Sequence, residues 1–344
     1  MRQSAPMASP RKRPTILDVA RRAKVAVGTA SNVLNARGRV NPDLGRRVRE
    51  AIDALGYVPD GVAQSLRRRR SRVVGLCVPS TASAYFAALQ EAFEDIAAKE
   101  GYELMQVLSR GDAALEERRI AAMLSRRVDG LILIPAGEPA RSFAAIDASG
   151  VPAVVVDRAF DDPRFDYVTI DERAAMREAT ASLADAGHRR ILFVVRAPSL
   201  VTTRERIAGF RAALRARGAH GDVLVRSADD AGFTAQVAEA LSARARPTAI
   251  IASNSALALT LLKSLRALEV AVPRDLSLLV FDEPEWADVM APPLAVVRHP
   301  TAAIARTAWE LLIHRMRNPR AKPQRVVYAA TLVPGPSVTP LRRR

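Results

Sequence analysis

The chain has 344 residues, 49% apolar and 26% charged, with a formal charge of +16; that length exceeds one small domain, and that apolar share excludes a disordered polymer. Residues 1–72 hold 17 Lys/Arg against 5 Asp/Glu, so the basic excess sits in the first fifth of the chain, and a basic head on a near-neutral body points to nucleic acid rather than to a merely solubilising surface. One cysteine, Cys77, excludes a disulfide framework, and no apolar run approaches the ~18 residues of a membrane span.

Residues 1–14 are rich in Pro, Ser and Arg and lack the apolar stretch of a secretory signal, so a disordered basic arm and a cytoplasmic location are expected. From Thr15 the pattern becomes helical. Ile16, Val19, Ala20 and Ala23 recur at i, i+3, i+4 and i+7, and Thr15 with Asp18 is placed as a near capping box. A second short helix turns Val25, Ala30, Val33 and Leu34 inward and leaves Val27, Gly28, Ser31 and Asn32 outward. Arg21, Arg22, Lys24, Arg37 and Arg39 flank that face. A small, polar helix face ringed by cations suits a DNA major groove, where phosphates fix position and base edges are read. A helical hairpin with a solvated basic face fits the same pattern. Asn41-Pro42-Asp43 then opens a third helix on Leu44, Val48, Ala51, Ile52 and Leu55, and Gly56 stops it. A short segment, Gly61–Leu66, and the run Arg67–Arg70 follow.

From Val73 strands and helices alternate. Strands are expected at Val73–Val78, Glu103–Leu108, Gly130–Ile134, Ala153–Val156, Ile191–Val195, near Val223–Arg226, Ala249–Ala252 and Ser277–Phe281. Helices are expected at Tyr85–Lys99, Leu115–Arg126, Ser142–Ala148, Arg173–Ala186, Arg204–Arg217, Thr234–Ala243 and Ala256–Leu268. Short apolar strands between three-turn helices imply parallel sheets covered on both faces. Two such sets, changing over near Thr169–Asp171, imply two doubly wound α/β lobes.

The stretch TILDVARRAKVAVGTASNVLN, then V-N-P-D, then VREAIDALGYVPDGVAQSL, resembles the headpiece and hinge of the lac-repressor (LacI/GalR) family of bacterial transcription regulators. Further matching pieces, such as Leu183–Ile191, Arg204–Phe210 and Val272–Ser277, extend the resemblance from about Thr15 to Pro340. It implies a small all-α helix-turn-helix headpiece over 15–59, a hinge helix and linker over 60–71, and a two-lobed core like periplasmic binding proteins over 72–340. The first lobe would take about 72–170 and 299–326, the second about 171–298 and 327–340, with helix Thr301–Met316 returning to the first. The resemblance further implies a homodimer on a pseudo-palindromic operator and a sugar-like effector between the lobes. DNA contacts would fall on Thr15, Val27, Gly28, Thr29, Ser31, Asn32, Asn35, Arg37 and Tyr57, and on Ala63, Gln64 and Leu66 of the hinge. Departures from the family pattern are Lys24-Val25-Ala26 where Gly-Val-Ser is usual, Asn32 for Arg, Asp60 for Asn, and Ser255 for the Asp that usually follows Asn254.

Ligands of open α/β sheets bind at loops beyond the strand ends. That rule selects Ser83, Tyr85 and Phe86 after the first strand, Asp157 and Arg158 after the fourth, Arg204 and Arg206 opening a second-lobe helix, Asn254, and Asp282. In the family, positions matching Arg206, Asn254 and Asp282 commonly contact the effector. An Arg fork and a carboxylate can bracket a polyhydroxyl ligand, with Trp286 or Phe160 supplying an aromatic face. The four histidines, His188, His220, His299 and His314, lack ligand spacing, and no nucleophile elbow, phosphate loop or Cys-x-x-Cys occurs. No enzyme activity, metal or cofactor is expected. Two other classes share parts of this pattern: a small-molecule transport receptor, which the basic head opposes, and an architectural DNA binder whose core senses nothing.

Overall fold

A computed structural model describes residues 14–34, 41–57, 70–227 and 229–341. The chain divides into two compact units, Met1–Ser71 and Arg72–Arg344.

The first unit holds α1 (Ile16–Ala23), α2 (Val27–Leu34) and α3 (Pro42–Leu55). Val19, Ala20, Ala23, Ala30, Val48 and Ala51 form its buried centre. The capping box is present: the Thr15 hydroxyl donates to Asp18 Oδ2 at 2.7 Å, and Asp18 N donates back to Thr15 Oγ1 at 3.4 Å. Lys24 ends α1 in the left-handed region, φ 52°, where a residue with a Cβ is strained. Arg47 of α3 reaches across and donates to the Lys24 carbonyl at 3.2 Å, supplying the end of α1 with a cation.

The second unit begins with β1 (Val73–Val78), α4 (Ala84–Lys99), β2 (Glu103–Leu108), α5 (Ala113–Ser125), β3 (Gly130–Leu133), α6 (Ala140–Ser149) and β4 (Ala153–Val156). Then come β5 (Asp166–Ile170), α7 (Glu172–Asp185), β6 (Arg190–Val195), α8 (Val201–Ala216), β7 (His220–Val225), α9 (Asp230–Ser242), β8 (Ala249–Ala252), α10 (Ser255–Ala267) and β9 (Ser277–Phe281). After a 3-10 turn at Glu285–Ala287 follow β10 (Ala295–Arg298), α11 (Thr301–Arg317), β11 (Arg325–Tyr328) and β12 (Thr331–Val333). The strands form two six-stranded sheets, ordered β11-β5-β4-β3-β1-β2 and β12-β10-β9-β8-β6-β7. All neighbours are parallel except β12, which runs antiparallel to β10. The inner strands, such as GLIL of β3 and AIIA of β8, are buried along their whole length because helices cover both faces.

Three chain crossings join the lobes. The chain leaves the first sheet after β5 at Asp171, returns to the first lobe between β10 and α11, and crosses again between β11 and β12. Tyr328 still pairs with Ile170, so the last crossing falls at 329–330 rather than just after 326. One buried cluster runs through both lobes, from Leu76 and Phe93 to Phe193, Phe281 and Trp309. No helix among the described residues is long and apolar enough to cross a membrane.

Candidate functional site

On the first unit, α2 buries Ala30 and exposes Gly28, Asn32 and Val27, with Thr29 and Ser31 half-buried. A Cβ added to Gly28 would meet nothing within 4 Å, so this face is open to close approach by a flat surface. Two expected contact residues have other work as well. The Thr15 hydroxyl is engaged in the cap of α1, and Tyr57 packs against the headpiece centre. Asn35, Arg37, Ala63, Gln64, Leu66, the arm before Pro14 and the hinge up to Arg69 lie outside the described residues.

In the second unit, strand ends of both lobes deliver charged side chains to one buried cluster. Asp157 and Arg158 follow β4, Asp282 follows β9, Glu172 opens α7, Arg206 lies on α8, and His299 sits on the crossing between β10 and α11. All six are buried, and so is Tyr85. Asp157 and Asp282 each follow the third strand of their sheet, and both have positive φ, 71° and 83°. Holding a residue with a Cβ there costs on the order of 1–2 kcal/mol. The two lobes thus carry matching strained aspartates into the same space.

Arg206 is fully engaged. Its Nε and Nη2 donate to the two Glu172 carboxylate oxygens at 2.6 and 3.1 Å, and its Nη1 donates to the Ser253 carbonyl at 2.6 Å. The guanidinium carbon lies 3.8 Å from the centre of the Phe281 ring. Asp282 is held more loosely: Ser255 N donates to Oδ2 at 3.3 Å, and His299 Nδ1 stands 3.6 Å from Oδ1. Burial pushes the Asp282 carboxyl up to about 7, although the Arg206 charge pulls it down. Burial likewise pushes Glu172 up to about 6 and raises Asp157. The His299 imidazole is held down to about 3 by burial and then by the Arg206 charge, so it is neutral. Beside the cluster, a cavity of about 210 Å³ opens between β5, β11 and the starts of α7 and α8, with Asp157 and Glu172 on its wall. Arg173 and Glu205 pair across its rim at 2.8 and 3.2 Å.

The remaining expected cleft residues divide, and Ser255, the departure beside Asn254, has a place of its own. Ser255 makes an interlobe contact: Ala84 N, the first amide of α4, donates to its hydroxyl at 3.3 Å. Arg204 lies half-exposed, 3.9 Å from Glu138 of the other lobe. The Asn254 side chain caps α10 by accepting from Leu257 N at 2.8 Å. Ser83 precedes α4 without a capping bond, and Phe86 packs half-buried on the cluster that joins the lobes. Neither Phe160 nor Trp286 faces the charged cluster. Phe160 packs edge-on to Phe143 in the first lobe's outer core, and Trp286 packs in the second lobe's outer core. Among the described residues, the rings set against the cluster are Tyr85, in the first turn of α4, and Phe281, the last residue of β9. Glu172 and His299 are cluster members that spacing alone does not select. Glu172 is 34 residues from its partner Arg206, and His299 lies in a crossing where neither helical nor strand periodicity operates.

A three-helix headpiece with an exposed polar helix, followed by two parallel-sheet lobes around a charged cleft, defines the class of DNA-binding regulators with periplasmic-binding-protein-like cores. Residues 15–60 match the family described as bacterial regulatory proteins, lacI family, and residues 180–338 match the periplasmic binding protein-like domain. The chain is 30% identical over 318 residues to the ribose operon repressor of Escherichia coli (strain K12), covering 91% of this chain and 96% of that one. Among solved structures, the transcriptional regulator CelR–cellobiose complex aligns with TM-score 0.69 and 28% identity, covering 94% of this chain and all of that one. The lac repressor dimer bound to operator and the anti-inducer ONPF shares the fold with TM-score 0.83 at 23% identity, over 95% of this chain and all of that one. The chain belongs to the lacI family of bacterial regulators: it is a DNA-binding transcription regulator and not an enzyme.

Proposed function

We propose that the protein is a homodimeric cytoplasmic repressor whose hold on a pseudo-palindromic operator is set by a sugar or sugar derivative bound between the core lobes. The observation that carries this is the buried cluster of Asp157, Arg158, Glu172, Arg206, Asp282 and His299, drawn from both lobes and a crossing. Buried charge at a plane of relative motion is costly unless something pairs with it, and a ligand that pairs with it in only one lobe arrangement shifts the population. The relative CelR was solved with cellobiose, and the E. coli relative is named for a ribose operon. Operator reading falls to α2: Val27 meets a thymine methyl, and Asn32 matches the N6 and N7 of adenine, with Gly28 allowing approach. For dimerisation, Leu259 and Val289 stand 45% and 81% exposed beside an apolar groove of about 520 Å³ lined by Leu262, Val270, Met290 and Pro292; exposed apolar patches of this kind mark interfaces.

The test is a thermal-shift screen of sugars and sugar acids on the intact protein, followed by operator titrations with and without each hit. A hit is expected to change operator affinity, and Asp282→Ala to abolish that change while leaving ligand-free operator binding near wild type. A ligand that stabilises the core yet leaves operator affinity unmoved would sink the proposal.

A further inference from the structure

His299 has a feature that the contacts within the cluster do not use. Its ring stacks on Tyr85 of the first lobe, centroids 4.2 Å apart at 24°, and meets Phe281 of the second lobe edge-on at 5.5 Å. Nδ1 faces the Asp282 carboxylate at 3.6 Å. Nε2 is buried and has no hydrogen-bond partner among the described residues. A neutral imidazole has one donor and one acceptor nitrogen. With Asp282 ionised, its carboxylate favours the proton on the facing Nδ1, which leaves Nε2 as a bare acceptor. An unmet buried polar atom is costly, and pairing it is correspondingly rewarded.

Of the two guanidiniums in the cluster, Arg206 has its donors spent and Arg158 is paired in charge. The Arg206 fork is consumed by Glu172 and the Ser253 carbonyl. Arg158 donates Nη1 to the Pro135 carbonyl, and its buried Nε, 3.5 Å from Asp157, makes no hydrogen bond among the described residues. Three buried carboxyl groups therefore face two guanidiniums, each with a carboxyl group already beside it. A phosphate or carboxylate on the ligand would add negative charge to a cluster whose two cations each already neutralise a carboxylate. A hydroxyl can donate to an acceptor and disturb none of these pairs.

We infer that His299 is a specificity-determining contact of the effector, its Nε2 accepting a hydrogen bond from one hydroxyl of an uncharged polyol. This rests on the cleft being the effector site, and goes further by naming the residue and excluding phosphorylated and acidic sugars. The test uses the full chain, isothermal titration, and matched probes: ribose, glucose, galactose and cellobiose against ribose 5-phosphate, glucose 6-phosphate and gluconate. At least one neutral sugar is expected to bind, and no anionic probe to bind more tightly than its neutral parent. His299→Phe keeps the stack on Tyr85 but removes the acceptor, and should weaken the best neutral sugar by about ten-fold or more; His299→Gln should recover part of the loss. Mono-deoxy analogues of that sugar should reveal one hydroxyl whose removal costs wild type heavily and costs His299→Phe nothing. If His299→Phe does not fold, His299→Leu carries the same expectation. Unchanged affinity in the variant, or a preference for an anionic probe, overturns the inference and leaves the cleft reading standing. Failure of every probe to bind wild type removes both.

Discussion

Lys24 and Ala26 show how a substitution registers at the scale of one residue. Lys24 occupies a left-handed position that favours glycine, and Ala26, whose carbonyl accepts from Ala30 N at 3.1 Å, starts α2 without a side-chain cap. Lys24→Gly is expected to stabilise the headpiece by about 0.5–1 kcal/mol after glycine's greater unfolded freedom is subtracted. Ala26→Ser should add about 1 kcal/mol. Hydrogen exchange of the α1 and α2 amides in the intact chain measures both, and unchanged protection would show that the turn is not strained. Asp282 supplies a pH dependence. Its folded carboxyl titrates at about 7 against ~4 unfolded, so the folded core holds a proton that the unfolded chain has released. That stabilisation is complete below about pH 4 and is lost as pH rises through 7. His299, held at about 3, acts in the opposite sense, but only below its ordinary value of ~6.5. Between about pH 6.5 and 8 the core Tm should therefore fall with rising pH, and fall less in Asp282→Asn; parallel curves for the two proteins would refute the shift.

Among the elements, those with a single strong periodicity are legible in the sequence. β2, β4, β8 and β9 fall on their expected residues, and Ile16, Val19, Ala20 and Ala23 line one face of α1. Helices α5, α6 and α8 start two or three residues ahead of the periodic pattern that marks them, because the first turn carries no apolar periodicity. β5 is hidden: DYVTI is wholly buried, yet Asp166 and Thr169 break the apolar run that marks a buried strand. Asp166 is tolerated there because it accepts from Gln324 N at 2.7 Å and pairs with Arg315. In the cleft, the strand-end rule reaches Tyr85, Arg158 and Asp282, each at or near an element's end, and also Arg206, which lies in the second turn of α8. Glu172 and His299 enter through tertiary pairing that one sequence does not display. α10 and the turn after β9 bear a further expectation. Replacing both Leu259 and Val289 with lysine places two cations on the apolar rim, and should weaken self-association about ten-fold or more. Sedimentation velocity at micromolar concentration reads this directly; an unshifted dimer would locate the interface elsewhere.

For the molecule as a whole, charge and architecture are partitioned in the same way. The basic excess lies in the first 72 residues, so operator binding should be strongly salt-dependent while effector binding to the core is not. With roughly 6–10 phosphate contacts, operator affinity should drop about 10³–10⁵-fold between 50 and 200 mM salt, as measured by fluorescence anisotropy; a flat log–log plot would separate the basic segment from DNA. The three crossings have a consequence for recombination. Each lobe is assembled from chain segments that are not contiguous: the first sheet takes β1–β5 and β11, the second β6–β10 and β12. A headpiece can be exchanged between relatives through a single junction near Ser71, where the two units divide. Exchanging one lobe needs three simultaneous junctions, near Asp171, Pro300 and Ala329. Shuffling of gene fragments should therefore re-pair whole headpieces with whole cores far more often than it mixes lobes, so new combinations of operator and effector come from one junction while a new cleft within one core comes from point substitution.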